Sequence, residues 1–246
     1  MKLSGNTVLI TGGASGIGLA FAERFLKAGN EVIICGRREE KLNEAKAKFP
    51  ELHTRVCNVA SEADRKALAE WVKTVHPQVN VLVNNAGIQQ QVNLLDGEAD
   101  WGHLKQEITA NFEAPVHLSI LLLPLLTGKE GSTIINVTSG LAFAPAAWVP
   151  IYSATKAALH SFTLTLRHQV AQQNVEVIEV APPAVNTDLG GVGLHTFGAP
   201  VEDFADAIFQ GFERGDQEIG YGQSERSLRA SRDELDTIFE RMNNRE

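Results

Sequence analysis

Tyr152-Ser153-Ala154-Thr155-Lys156 sets a phenol and an ammonium four residues apart, and Ser139 stands thirteen residues upstream of the tyrosine, at the end of a β-type run. On a helix, positions i and i+4 share a face, so the two groups point into the same space. A cation beside a phenol favours the phenolate. At an effective dielectric near 20, a unit charge ~4 Å away is worth up to ~4 kcal/mol, and ~1.4 kcal/mol moves a pKa by one unit. Before desolvation subtracts from it, that is enough to bring a tyrosine of pKa ~10 towards the range of a working proton donor and acceptor. The spacing alone arises often by chance, a surface lysine one turn after a packed tyrosine being the ordinary explanation. The elements that would hold these groups decide between the two.

The run from Asn6 to Thr11 is short and apolar and is followed by Gly12-Gly13-Ala14-Ser15-Gly16-Ile17-Gly18, then by Leu19, Ala20, Phe21, Phe25 and Leu26 at helical spacing. Strand, glycine turn and helix in that order suit a pyrophosphate: glycines admit a tight turn and close approach, and the free N–H groups and dipole of the helix N-terminus meet the negative charge. A second strand, Glu31 to Cys35, ends in Gly36-Arg37-Arg38. A dinucleotide fold binding NAD carries an acid there for the ribose 2′-hydroxyl, whereas two arginines suit a 2′-phosphate, so NADP(H) is predicted. Cations also run against the dipole of the helix that begins at Glu39.

A third strand spans His53 to Cys57 and leads through Asn58-Val59 to Ser61, the N-cap of a helix reaching Val75. The fourth, Asn80 to Val83, ends in Asn84-Asn85-Ala86-Gly87, at the carboxyl edge where ligands sit in open parallel sheets. A helix from about Trp101 to Leu126 carries Asn111 in its middle, an awkward residue there unless its side chain has a partner. The fifth strand, Ser132 to Val137, ends in Thr138-Ser139-Gly140, and a loop with Leu141, Phe143 and Trp148 leads into the Tyr152 helix, which runs to about Gln173. The sixth strand, Val175 to Val180, is broken by Pro182-Pro183, and a glycine-rich loop from Asp188 to Pro200 suits a lid. A helix from Val201 to about Arg214, a short strand at Glu218 to Gly220 and an amphipathic helix from about Arg232 to Met242 close the chain.

This alternation predicts an α/β fold: one doubly wound parallel sheet of about seven strands flanked by helices, as a single domain over 1–246 with a C-terminal helical extension. A hydrophobic content of 43% supports a sizeable core, and a net charge of −8 without a Lys/Arg run argues against a nucleic-acid partner. Cys35 and Cys57 lie near the ends of apolar runs and read as buried thiols in a reducing cytoplasm. No apolar signal core follows Met1, and the greasy Leu118 to Leu126 stretch is too short to span a bilayer and carries Pro124, so it reads as a buried helix rather than a membrane span. Seven histidines without HExxH-type pairing predict no metal site.

Taken together, Thr11-Gly12-x-x-x-Gly16-x-Gly18, Asn84-Asn85-Ala86-Gly87, Asn111, Ser139 and Tyr152-x-x-x-Lys156 resemble the motifs of the short-chain dehydrogenase/reductases, in the right order over almost the whole chain. Pro182 to Leu189 and Glu234 to Met242 are similar to the branch of oxidoreductases from D-alanyl-lipoteichoic acid operons. The resemblance implies a Rossmann-type fold and a catalytic set of Asn111, Ser139, Tyr152 and Lys156. It implies cofactor contacts from Gly12, Ser15, Gly16, Ile17, Gly18, Arg37, Arg38, Asn58, Val59, Asn84, Ala86, Gly87, Tyr152, Lys156, Pro182, Val185 and Thr187. In that scheme Tyr152 gives its proton to a carbonyl oxygen that Ser139 holds, and Lys156 lowers the Tyr152 pKa and binds the nicotinamide ribose. Asn111, through a helix distortion, orders a water leading from Lys156 to solvent.

Two departures stand out: Asn58 replaces the usual Asp beside the adenine, and the chain continues well past Gly220, which puts the family's usual tetramer in doubt and leaves a homodimer through the Asn111 and Tyr152 helices. The expected pocket walls, Gln89, Gln90, Leu141, Phe143, Trp148, Val185 and Leu189, are mostly apolar without a basic residue, which favours a small uncharged ketone, aldehyde or alcohol. The competing reading is a dinucleotide-binding regulator that has lost turnover; a pure sensor would need the glycine loop but not the proton donor.

Overall fold

The computed structural model describes residues 1–97 and 100–244. Glu98, Ala99, Arg245 and Glu246 of the predicted 1–246 domain lie outside the described residues. Seven parallel strands form one sheet in the order β3-β2-β1-β4-β5-β6-β7. They are β1 (Thr7–Thr11), β2 (Glu31–Gly36), β3 (His53–Val56), β4 (Val81–Asn84), β5 (Ser132–Val137), β6 (Val175–Ala181) and β7 (Glu218–Gly220). Reversal of strand order between β1 and β4 opens a crevice at their carboxyl ends, the place where such sheets receive ligands.

Both faces of the sheet are covered, which is why β1 and β4 are buried at every position and read as unbroken apolar runs rather than alternating ones. On one face, α1 (Gly16–Lys27) and α7 (Val201–Arg214) pack Phe21 and Phe25 against Phe204, Phe209 and Phe212. On the other, α3 (Glu62–Val75) meets Leu118, Leu122 and Leu126, while α2 (Glu39–Lys48) covers the β2–β3 edge. Cys35 and Cys57 are free and buried, as expected.

The helix predicted over Trp101–Leu126 is three pieces: α4 (Trp101–Ile108), a π-helical segment at Thr109–Glu113, and α5 (Ala114–Leu126). Asn111 sits in the π segment, so the distortion expected of it is present. An 18-residue window of this run has a mean hydropathy of 1.3, enough for a membrane span by length and composition. Its apolar side is instead packed into the protein core, and the polar Glu107 and Asn111 are buried on it.

The helix that carries Tyr152 and Lys156, α6 (Pro150–Gln169), ends earlier than predicted, and α8 (Gln223–Arg229) is an element the sequence does not announce. Sequence periodicity misses α8 because it is short and polar; Ser224 and Ser227, rather than apolar residues, are its buried side. The last helix, α9 (Arg232–Asn243), opens on a capping box between Ser231 and Glu234. Its far end folds back over the loop before α6, where Ala147 N–H donates to Asn243 Oδ1 (2.6 Å) and Asn243 Nδ2 donates to Pro145 O (3.0 Å).

At the opposite end of the sheet, Glu31, His53 and His76 bring their ligand-type atoms within 4.8 Å of one another, a grouping that residues so far apart in sequence do not announce. His76 Nδ1 lies 3.0 Å and His53 Nε2 3.4 Å from Glu31 Oε1, and Gln78 Nε2 donates to Glu31 Oε2 (3.0 Å), so the carboxylate ties the starts of β2 and β3 to the residues just after α3.

Candidate active site

Ser139, Tyr152, Lys156 and Asn111 converge where β4 and β5 end and α6 begins, and none is more than 6% exposed. Ser139 leaves β5 and caps the short turn Gly140–Ala142, with Leu141 N–H donating to its Oγ (3.1 Å). Tyr152 and Lys156 lie on one face of α6, with Nζ 5.5 Å from the centre of the phenol ring and donating to Val137 O (2.8 Å). Asn111 accepts from Ile88 N–H and donates to Ile88 O, both at 2.8 Å, and also donates to Thr155 Oγ1 (3.3 Å). A side chain in place of Gly87 would start 3.2 Å from Asn111 Oδ1 and 3.8 Å from Lys156 Nζ, so a glycine there keeps those two atoms open to a common space.

Burial dominates the electrostatics. It pushes the Tyr152 phenol well above its usual range, against the opposing pull of the Ser139 hydroxyl, and the negative charge of Glu107 adds to the rise. The same burial brings the Lys156 ammonium down to about 8, while Glu107 acts in the other direction. The expectation that Lys156 lowers the tyrosine is therefore not met in the free protein. At this spacing the cation approaches the ring, and desolvation outweighs the i, i+4 geometry.

A buried polar chain supports the site from behind. Thr138 Oγ1 donates to Glu179 Oε1 (2.7 Å), and Glu179 Oε2 lies 2.8 Å from His160 Nδ1, one turn after Lys156. The Glu179 contact raises the His160 pKa against its burial. Through it, the end of β5 that carries Ser139 is joined to β6 and α6.

A cleft of about 1850 Å³ runs from the α1 turn to the C-terminal helices. Gly12 takes a left-handed φ of 65°, and a Cβ on it would lie 2.9 Å from Ala86 Cα, so β1 and β4 can close together only around a glycine. A Cβ on Gly18 would lie 2.3 Å from Gly12 O, which is how α1 packs so tightly onto its own turn. Ser15 caps α1 without a side-chain hydrogen bond, and no acid occupies the first turn, so its N–H groups and dipole face the cleft uncompensated. Arg37 and Arg38 line the same cleft at the end of β2, exposed and, among the described residues, outside salt-bridge distance of any carboxylate.

Residues 6–192 match the family model for short chain dehydrogenases. The chain is 49% identical over 251 residues, spanning 100% of both, to the uncharacterized oxidoreductase DltE of Bacillus subtilis (strain 168). This chain belongs to the short-chain dehydrogenase family. Among solved members, it is similar to a short-chain dehydrogenase from Burkholderia cenocepacia J2315 in complex with NADP (TM-score 0.83, 25% identity, 97% of this chain and 99% of that one). It is also similar to one from Sphingobium yanoikuyae in complex with NADPH (TM-score 0.80, 26% identity, 87% of each). Short-chain dehydrogenases use a nicotinamide dinucleotide, and the glycine turn, the uncompensated α1 N-terminus and the paired arginines of this cleft fit one.

Against that short-chain dehydrogenase frame, most residues predicted to touch the cofactor line the cleft: Gly12, Ser15, Gly16, Ile17, Arg37, Arg38, Asn58, Val59, Ala86, Gly87, Tyr152, Lys156, Pro182, Val185 and Thr187. Asn84 does not. Its side chain turns beneath the sheet edge, donating to Asn136 Oδ1 (2.9 Å) and Ser119 Oγ (3.2 Å), because strand alternation points the next residue, Asn85, at the cleft. Gly18 is a packing glycine behind the turn, and Asn111 is fully buried. The Asn58 carbonyl expected to meet the adenine already accepts from Ala60 N–H (3.2 Å).

Of the expected substrate walls, Gln89, Gln90, Leu141, Trp148, Val185 and Leu189 line the cleft, whereas Phe143 packs edge-on against His160 with ring centres 4.8 Å apart. Sequence reasoning missed the contribution of the C-terminal extension. Met242 joins Leu141, Leu189 and Tyr152 in one apolar cluster, and Arg226 and Arg241 reach the cleft. It also missed Glu107, whose one available signal is its place four residues before Asn111 on the same helical run.

Proposed function

We propose that this short-chain dehydrogenase is an NADP(H)-dependent oxidoreductase that interconverts an uncharged, apolar ketone or aldehyde and its alcohol, acting as a homodimer in the cytoplasm. The observation that carries the reading is Tyr152, buried with Ser139 and Lys156 at the carboxyl edge of the sheet and under an apolar cover of Leu141, Leu189 and Met242. A sensor without turnover has no use for that set.

The chemistry the dinucleotide supplies when bound is hydride transfer to or from the carbonyl carbon. Gly12, Ser15 and the N-terminus of α1 hold its pyrophosphate, and Arg37 and Arg38 meet a 2′-phosphate. For reduction, the raised pKa keeps Tyr152 protonated until the carbonyl oxygen becomes basic; the phenol then gives up its proton, and the Ser139 hydroxyl donates a second hydrogen bond to the same oxygen. Lys156 stabilises the phenolate left behind, since its ammonium prevails below about pH 8. For oxidation the phenolate takes the proton back from the alcohol.

NADP over NAD is supported by Arg37 and Arg38, exposed and unpaired among the described residues, by a strand end, Gly36-Arg37-Arg38, that carries no acid, and by the two solved relatives above, which are in complex with NADP or NADPH. A dimer is supported by Ile120 on α5, the helix after Asn111, and Leu164 on α6, the helix that carries Tyr152, apolar residues that stand 61% and 41% exposed; light scattering on the purified protein tests it. Cytoplasmic location is supported by the two free, buried thiols.

The deciding experiment follows NADPH absorbance against a panel of aliphatic and aromatic ketones and aldehydes, with carboxylated carbonyls included because Arg226 and Arg241 reach the cleft. Turnover of apolar members is expected. Preference for the carboxylated members overturns the substrate class, and no oxidation of NADPH or NADH by any member overturns the enzymatic reading.

A further inference from the structure

Glu107 is wholly buried, yet the mechanism above gives it nothing to do. One of its oxygens accepts from Gln90 N–H (3.2 Å), and the other, Oε2, has no hydrogen-bonding partner. It lies one helical turn before Asn111, on the segment of α4 that packs against α6. Its charge is felt by both Tyr152 and Lys156. Gln90 and His103 line the cleft just above it, tied together by a bond from Gln90 Nε2 to His103 O (2.8 Å). A buried carboxylate with an unused oxygen destabilises a fold, and an apolar residue of the same size would pack there without that cost.

We propose that Glu107 is the proton-exchange partner of Lys156, acting through the lysine and not on the substrate. It reloads the phenol after reduction and drains it after oxidation. The proposal rests on the reading of Tyr152 and Lys156 given above. In the reducing direction Tyr152 ends as a phenolate; Lys156 passes a proton towards it and becomes a neutral amine. The Glu107 O–H, not hydrogen-bonded to the ammonium in the free protein, replaces that proton through an intervening water, leaving a carboxylate for solvent at the Gln90–His103 rim to reprotonate. In oxidation each transfer reverses, and no other species is consumed.

The charges support this exchange. Burial raises the Glu107 carboxyl to about 7, the Gln90 N–H and the Lys156 cation act against the rise, and burial lowers Lys156 to about 8. Burial thus moves the two groups towards each other, the carboxyl up and the ammonium down, so neither holds the proton strongly against the other. Among the described residues, the titratable groups that act on or feel Glu107 from α6 are Lys156 and Tyr152, the Ile88–Gln90 segment carries no titratable side chain and gives it the Gln90 N–H, and His103 lies on its own helix.

Two measurements test the proposal. In the first, kcat is followed against pH in both directions for the wild type and Glu107→Gln, which keeps the acceptor for Gln90 but cannot carry a proton. Wild-type reduction should fall and oxidation rise as pH passes through neutrality. In Glu107→Gln this neutral limb should vanish, and kcat at the wild-type optimum should drop by about tenfold or more. A variant whose kcat is scaled down uniformly, with the limb in place, shows a structural role and overturns the proposal.

The second measurement needs neither turnover nor a tolerated substitution at 107. Carboxyl-labelled glutamate in the free protein, read by NMR, should show one carboxyl titrating near neutral pH that moves to higher pH in Lys156→Met. A titration confined to the ordinary carboxylate range, or one indifferent to Lys156→Met, overturns the proposal. Wild-type protein inactive on the whole carbonyl panel instead defeats the enzymatic reading and leaves this measurement standing.

Discussion

The side chain of Asn111 and the backbone of Ile88 are joined by two hydrogen bonds of 2.8 Å, one in each direction. The amide thus replaces a strand partner for the segment that runs from Gly87 to the substrate wall at Gln89 and Gln90. It can do so because the π segment at Thr109–Glu113 turns the residue out of the helical register. Asn111→Ala leaves two backbone groups of Ile88 without their partner, and a loss of about 1–3 kcal/mol in unfolding free energy is expected, with a fall in kcat. Urea denaturation measures the first. Unchanged stability would show that the pair does not hold the segment.

Tyr152→Phe keeps the ring packed against Ala146, Val149 and Met242 and removes only the proton donor. A loss of at least about 10² in kcat is expected, with NADPH affinity changed no more than a few-fold. More than a tenth of wild-type kcat remaining in the variant would remove Tyr152 from its assigned role. Lys156→Ala is expected to weaken both rate and cofactor binding.

The NADP(H) reading turns on Arg37 at the end of β2. A charge-assisted contact to a phosphate is worth roughly 1.5 to 3 kcal/mol, or about ten- to 150-fold in dissociation constant. Arg37→Ala should therefore weaken NADPH by that factor and leave NADH almost unchanged. Comparison of kcat/KM for the two cofactors on one substrate is the check, and a wild-type ratio near one would count against the assignment.

The loop from Asp188 to Pro200 holds four glycines among thirteen residues and is fastened across the cleft by His195 Nε2, 3.1 Å from Gln89 Oε1. Ordering such a segment is costly, so the closed form depends on contacts of this kind. Limited proteolysis should cut within the loop faster in His195→Ala than in the wild type, and cofactor with a substrate analogue should slow the cut in both. Cleavage indifferent to ligand would mean that the loop is not a lid.

The contact with Glu179 raises the folded pKa of His160 above its ordinary value of 6.5, against the opposing effect of burial. A raised pKa stabilises the fold fully below the unfolded value, and the contribution is lost as pH rises through the folded one. Relative to His160→Gln, the wild type should be more stable by about 1 kcal/mol near pH 6, with the gap closing towards pH 9. Denaturation at the two pH values tests the sign; a gap that widens with pH contradicts it.

Local rules account for what the sequence determined by itself. The alternation of strand and helix, the glycine turn before α1, the arginines after β2 and the shared face of Tyr152 and Lys156 depend on residues only a few positions apart, and the fold holds each of them where the local pattern puts it. Tertiary structure alone decided what depends on surroundings. The Asn84 amide is taken up by Asn136 and Ser119, partners that only the packing of β5 and α5 brings beneath it. Met242 closes the site because α9 folds back onto the loop before α6. Tyr152 is pushed up rather than down, because desolvation is summed over everything that surrounds the phenol, while the helix spacing specifies only one neighbour. Glu107 is an ordinary acid in the sequence, and its carboxyl is pushed up to about 7 only by the burial that the packing of α4 against α6 imposes.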